Sequence, residues 1–442
     1  MSARRSELAE RVGRDFASER DSTGKQLRHS VISFAKDVDV LMDEPLADGA
    51  AAATQIREVK DDPSGEEQVM QAVQLVTDRL RNEWKQFLDW HCMIVIATDE
   101  RGDDAQMVDT VASLCAKMGT RVFCLGNASP FGVERGFVRW TYSDGFEQDI
   151  PVDSGPETIT SQVLNTPWLG GPRLNLSRVS SGFGPYALCK LCQETGGRFL
   201  IAHDPADKRF AADIMEKYGP GYFGSQKEFE RSLKSNAAKL AVVKAAMQAR
   251  QHSLRPLTLK LRADSHNAIR TYATEPQKIL AVILHYSDEL IQILKTGLED
   301  RPLVKEPRWQ ASFDLAMGQA LATKVRSYAL NVRLAQMKVS PQRFKNPENN
   351  TWIMEPADEV SQSGRTMAVR ARQFLKQVVS AHPGTPFAHV AQRELDRGMG
   401  WKWVAAHTEW KDERRRPRGL INPLLIKGPV RRSVSLRALP EL

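Results

Sequence analysis

The 442-residue chain has no apolar run near the roughly 18 residues that would span a bilayer. Its first twenty residues are charged and carry no apolar stretch of the signal-peptide kind. As written, it reads as soluble, with no membrane insertion. Cysteine is scarce. The five residues form an odd set with no framework spacing, which suits a reducing compartment or buried thiols. No G-x-x-x-x-G-K-[ST], G-x-S-x-G, H-E-x-x-H or EF-hand pattern occurs, and the nine histidines are scattered. Nothing assembles a nucleophile, a base and an orienting group, so no enzyme is expected. A basic domain is lacking too: Lys+Arg (62) and Asp+Glu (54) are mixed along most of the chain. The excess gathers in the tail, at Arg414, Arg415, Arg416, Arg418, Lys427, Arg431, Arg432 and Arg437. That favours a basic extension and no nucleic-acid partner.

What is present begins with alternation. Strand-like runs at 29–34, 92–97, 120–126 and 198–204 alternate with helical periods near 48–59, 67–88, 105–118 and 185–195. Leu8, Val12 and Phe16 mark a further amphipathic helix over 4–20. Strand–helix–strand repetition predicts an α/β domain with a doubly wound, mostly parallel sheet over residues 1–204. Residues 127–180 break the pattern and read as an insertion packed by Trp140, Tyr142, Phe146 and Trp168, with a hairpin at Asp144-Gly145. Beyond 205 strand patterns vanish, so 205–400 is predicted as an all-α region, followed by a Pro/Arg-rich tail over 401–442. Within it, 372–395 has the form of a helix, a Pro-Gly-Thr-Pro turn and a second helix, as in tetratricopeptide-like repeats.

Chemistry concentrates where "MIVIA" (93–97) meets Thr98, Asp99, Glu100, Asp103 and Asp104. In open α/β sheets the carboxyl ends of strands are where ligands bind. Asp103 or Asp104 would cap the helix that follows at 105. Two other motifs have bland explanations. "CKLC" (189–192) lacks a second ligand pair for zinc and reads as buried structural cysteines. "GFGPYA" (182–187) with Asp204 imitates a dinucleotide fingerprint but follows no buried strand, which leaves a nucleotide-binding oxidoreductase as a remote alternative.

The order of "HSVISFAKDVDVLMDEP" (29–45), "DDPSGEEQVMQAV" (61–73), "IVIATDERGDD" (94–104), "TRVFCLG" (120–126) and "LCKLCQETGGRFL" (188–200) resembles a von Willebrand factor type A domain. The wording is similar to a bacterial subgroup with a large insertion and a helical C-terminal region. The resemblance implies protein–protein or adhesion-type binding, with Mg²⁺ held at a metal-ion-dependent adhesion site and an acidic residue of the partner completing it. Asp99 matches the third loop of that site, and Glu67 stands where the second loop carries Thr. The first-loop D-x-S-x-S and its strand have no counterpart, so Mg²⁺ is expected only if an upstream D-x-S-x-S is present. A chain shortened at its start would explain this, and export or membrane anchoring would then depend on the missing part. If the metal site is incomplete, the alternative is a metal-independent helical scaffold.

Overall fold

The computed structural model describes residues 9–11, 27–60, 62, 64–87, 90–167, 169, 174–222, 224–251 and 257–410. Most of the helix predicted at 4–20, Trp168 and the tail from 411 lie outside them. The chain is mixed α/β and about half helical, with a parallel three-stranded sheet and a largely helical C-terminal half.

The first half runs β1 (Ile32–Phe34), β2 (Val38–Val40), α1 (Gly49–Glu58), α2 (Val69–Asn82), β3 (Met93–Ala97), α3 (Val108–Lys117), β4 (Arg121–Asn127), β5 (Gly136–Thr141), β6 (Glu147–Val152), α4 (Tyr186–Glu194) and β7 (Phe199–His203). Strands β3, β4 and β7 form the parallel sheet, with β4 in the middle. Alternation puts Ile94, Ile96, Val122, Cys124 and Phe199 on one face, where they pack against Val73 of α2, Val111 of α3 and Leu188 of α4. The apolar run at 93–97 predicts burial on both faces, and the structure corrects this. Met93, Val95 and Leu200 point the other way and remain 54 %, 50 % and 44 % exposed. The core helices α2, α3 and α4 all lie against the inner face, which leaves these residues without a helical cover among the described residues.

Strand β1 also departs from expectation. It pairs antiparallel with β2, Ile32 opposite Val40, and joins no ladder with β3. Phe34 nonetheless packs into the same core as Ile96. The outer edge of β3 therefore carries no strand among the described residues.

The insertion forms the expected hairpin, β5 against β6, turning through Asp144-Gly145. Its packing differs from the sequence reading. Trp140 and Tyr142 are only half-buried and Phe146 is exposed. Phe131, Val163, Leu164 and Val179 instead join the core of the helical half.

That half contains α5 (Ala212–Met215), α6 (Gln226–Lys234), α7 (Ala237–Gln251), β8 (Lys260–Arg262), α8 (His266–Lys295), α9 (Pro307–Val339), β9 (Thr351–Ala357), α10 (Arg365–Ala381), α11 (Pro386–Asp396) and β10 (Gly400–Ala406). Helix α9 is central, packed by α7, α8, α10 and α11. Phe313, Ala320, Ala322 and Leu330 on it are fully buried. Helix α8 runs unbroken through Pro276. An interior proline costs about 3 kcal/mol. Here Ile269, Ala273, Leu280 and Ile283 keep one buried stripe across it, and that packing holds the helix together. Helices α10 and α11 form the expected pair on α9, with Thr385 Oγ1 accepting from Ala388 N–H at the turn.

The all-α expectation is wrong in one respect. Strands β8, β9 and β10 make an antiparallel sheet in the order β10-β9-β8. "TWIMEPA" and "GWKWVAA" alternate with period two, placing Trp352, Met354, Trp401 and Trp403 inward. Regular structure thus reaches residue 406, inside what reads as tail.

Candidate functional site

Two acidic loops meet at the carboxyl end of β3. One, 64–68, leads into α2, and the other, 98–104, leaves β3. They are stitched backbone to backbone and side chain to backbone. Asp103 N–H donates to the Glu67 carbonyl, and Glu67 N–H donates to Asp103 Oδ2, both at 2.8 Å. Gly102 makes this approach possible. Its φ is +81°, and a Cβ there would lie 2.7 Å from Val69 Cγ2.

Asp104 is buried, and its role corrects the sequence reading. It does not cap the helix beginning at 105. Its carboxylate reaches across to α2 and accepts from Met70 N–H (3.0 Å) and Gln71 N–H (2.8 Å). Gln68, the residue before α2, offers no side-chain cap of its own. The cap therefore comes from another loop, and Asp103 and Asp104 act as fasteners.

Glu67 and Asp99 do come together. Thr98 Oγ1 donates to Glu67 Oε2 at 3.0 Å and accepts from Glu100 N–H at 3.1 Å. Loss of solvent, followed by the neighbouring charges of Asp99 and Glu100, pushes the Glu67 carboxyl up to about 8. Glu100 is raised mainly by burial, while Asp153 N–H, donating to it at 3.2 Å, pulls the other way. Asp99 is only 8 % exposed. Among the described residues no donor or cation reaches its carboxylate. Its own carbonyl accepts from Asn127 Nδ2, at the end of β4. Thr98, Glu100 and Asn127 were not singled out as site residues. The signal for Thr98 was its place directly before Asp99, whereas nothing in sequence spacing pairs Asn127 with that loop.

The site is fastened to the insertion. Arg101 N–H donates to the Asp153 carbonyl, and the Arg101 guanidinium pairs with Asp153 Oδ2 at 3.0 Å. Glu157, four residues on, is fully buried and pairs with Arg308 at the start of α9. Arg308 also donates to Gln162 Oε1 and to the Tyr218 carbonyl, each at 3.1 Å. One run of contacts thus joins the acidic loops to the helical half.

Mg²⁺ takes six oxygen ligands, typically a few carboxylates and several waters. Glu67, Asp99 and the Thr98 hydroxyl are the groups gathered here. Among the described residues no three His, Cys, Asp or Glu side chains are arranged to hold a metal.

The other motifs serve packing. Cys189 and Cys192 are buried free thiols, pushed by burial up to about 11 and about 12. Gly184 of "GFGPYA" lies so close to Phe199 that a Cβ would overlap the ring. Asp204 turns back on Ala206 N–H in its own loop.

Among the described residues no helix is long and apolar enough to cross a membrane. Comparison with known protein families, curated proteins and solved structures finds no match to this chain.

Proposed function

We propose that this chain is a non-catalytic protein-binding module with a type A-like sheet domain and a helical half that holds it. The β1–β2 hairpin, the Thr98-Asp99 pair after β3 and Thr195-Gly196-Gly197 before β7 support the type A reading. The observation that carries the binding role is the outer edge of β3. An unpaired strand edge beside apolar Met93 and Val95 is a template for an extended segment of a partner protein.

A second, metal-assisted reading is favoured by Asp99, a largely buried residue whose carboxylate meets no cation among the described residues. In it, further oxygen ligands come from a strand seated on that edge, and an acidic residue of a partner binds the ion. One fusion tests both readings: an apolar strand ending in D-x-S-x-S placed ahead of Met1. The binding role predicts a higher Tm for the fusion. The metal-assisted reading adds Mg²⁺ binding by calorimetry, lost again in Asp99→Ala, while the chain as it stands binds none tighter than roughly millimolar. An unchanged Tm without Mg²⁺ binding would sink both.

A further inference from the structure

Segment 212–218 leaves the sheet half and lies against the turn between α10 and α11. Met215 and Tyr218 are buried in the core of the helical half, and Ile214 packs against it. The turn is shaped for this contact. Gly384 stands at φ +72°, and a Cβ there would lie 2.8 Å from Ile214 Cδ1. Phe387, in the first turn of α11, packs edge-on against Phe131 and tilted against Tyr218, with ring centroids 4.8 and 6.1 Å apart. Arg308, paired with Glu157 of the insertion, also donates to the Tyr218 carbonyl. One joint thus gathers the insertion, the exit from the sheet half and the α10–α11 pair.

His382 fastens this joint. It follows the last residue of α10 and is only 3 % exposed. Its Nδ1 and the Tyr218 hydroxyl share a hydrogen bond of 3.0 Å, with the two rings T-shaped. Its Nε2 is buried and has no hydrogen-bond partner among the described residues. The charged groups around it supply none. Asp314 of α9 acts on the ring, but Arg301 takes both of its oxygens. Arg308 on α9 is a cation itself. Glu216 and Lys217 are exposed beside Tyr218, and the last turn of α10 carries no charged residue. On α11, His389 is held below its usual range by burial, then by Lys208 and Arg393.

We infer that His382 is an acid-sensitive latch, whose protonation parts segment 212–218 from the α10–α11 turn and so loosens the joint between the two halves. A neutral imidazole needs one donor and one acceptor site, and the Tyr218 hydroxyl meets one of them. The imidazolium donates at both nitrogens. Its Nε2–H would be a buried, charged donor with no acceptor, a state relieved only when the ring reaches water. Burial accordingly holds the ring below its ordinary 6.5, with Asp314 pulling it up and Arg301 pushing it down. Above 6.5 the ring is neutral whether the joint is closed or open, and the latch holds. As pH falls through 6.5 the open form takes the proton first, so the closed form loses stability until the closed ring titrates too.

Hydrogen–deuterium exchange of the full chain at about pH 7.5 and about pH 5, corrected for the intrinsic effect of pH, reads the latch. Exchange in 212–218 and 382–392 should rise at least about threefold at the lower pH, with no such rise in 315–330 of α9. His382→Asn sets an amide near the Nδ1 position, and His382→Gln sets one near the Nε2 position. Neither gains a proton in this range, so the rise should be lost in whichever of them folds. Equal exchange at both pH values in the unaltered chain would overturn the inference. So would a rise shared by 315–330, which is global unfolding and not a local release. A rise that persists in a folded variant would assign the acid response to another group, such as His389, and also overturn it. The strand fusion above leaves this joint untouched, so the two proposals fail separately.

Discussion

Helix α9, central to the helical half, and strand β3, at the edge of the parallel sheet, are covered very differently. Around α9, packing is closed: Leu330 and Phe313 are at 0 % exposure, and the buried charges Arg308 and Arg326 have acidic partners. Around β3, Val95 is half exposed, and among the described residues the outer edge carries no strand and the Asp99 carboxylate has no ion pair. A helix satisfies its backbone within itself, so a bundle can close on its own residues. A strand needs a neighbour on each edge. The helical half is therefore closed, in part by Phe131, Val163 and Glu157 of the insertion, whereas the outer edge of β3 has no neighbouring strand among the described residues.

The largest effect should come from the tie between them. Glu157→Ala leaves the Arg308 guanidinium buried and unpaired, at a cost of about 3–5 kcal/mol. Urea unfolding followed by tryptophan fluorescence measures it. A loss below about 1 kcal/mol would mean that the halves are not joined through this pair.

Next in size is the cap supplied across the loops. Asp104→Ala should cost about 1 kcal/mol by removing the acceptor of Met70 and Gln71 N–H, within the range measured for helix caps. The same measurement on Asp103→Ala should show less, because the backbone link from Asp103 N–H to Glu67 survives. The reverse order would contradict the assignment.

A pH dependence arises in the sheet half as well. The Glu67 carboxyl is raised to about 8 in the folded chain, above the ordinary 4.5. Below about pH 4.5 folded and unfolded chains are both protonated there, and the stabilising contribution of the proton is fully present. As pH rises, the unfolded chain releases that proton first, so stability falls until the folded group ionises near pH 8. Glu67→Gln should flatten this part of the profile and stabilise the protein at pH 8. An unchanged slope between pH 5 and 8 would show that the carboxyl is not held in this way.

How much of this could be read from sequence also divides by region. Thr98-Asp99 at the end of an apolar run located the site, and period 3.6 located α9 and the α10–α11 pair. Strands β9 and β10 were missed because their aromatic alternation lies beside loop-like and Arg-rich stretches that dominate the composition. The capping of α2 by Asp104 spans 34 residues, a partnership that no local pattern encodes. Glu67 was found only through the type A resemblance, and its closeness to Asp99 depends on the two loops being stitched together.

Amide exchange at β3 bears most directly on the central claim, that this edge is open to a partner strand. Thr98 N–H donates to the Leu125 carbonyl, so alternation turns the N–H groups of Ile94 and Ile96 toward β4 and those of Val95 and Ala97 outward. Residue-resolved hydrogen exchange on the full chain should show Ile94 and Ile96 protected and Val95 and Ala97 exchanging at least about 100-fold faster. In the strand fusion the latter pair should slow to match. If Val95 and Ala97 are already protected in the chain as it stands, the edge is covered and the account is wrong.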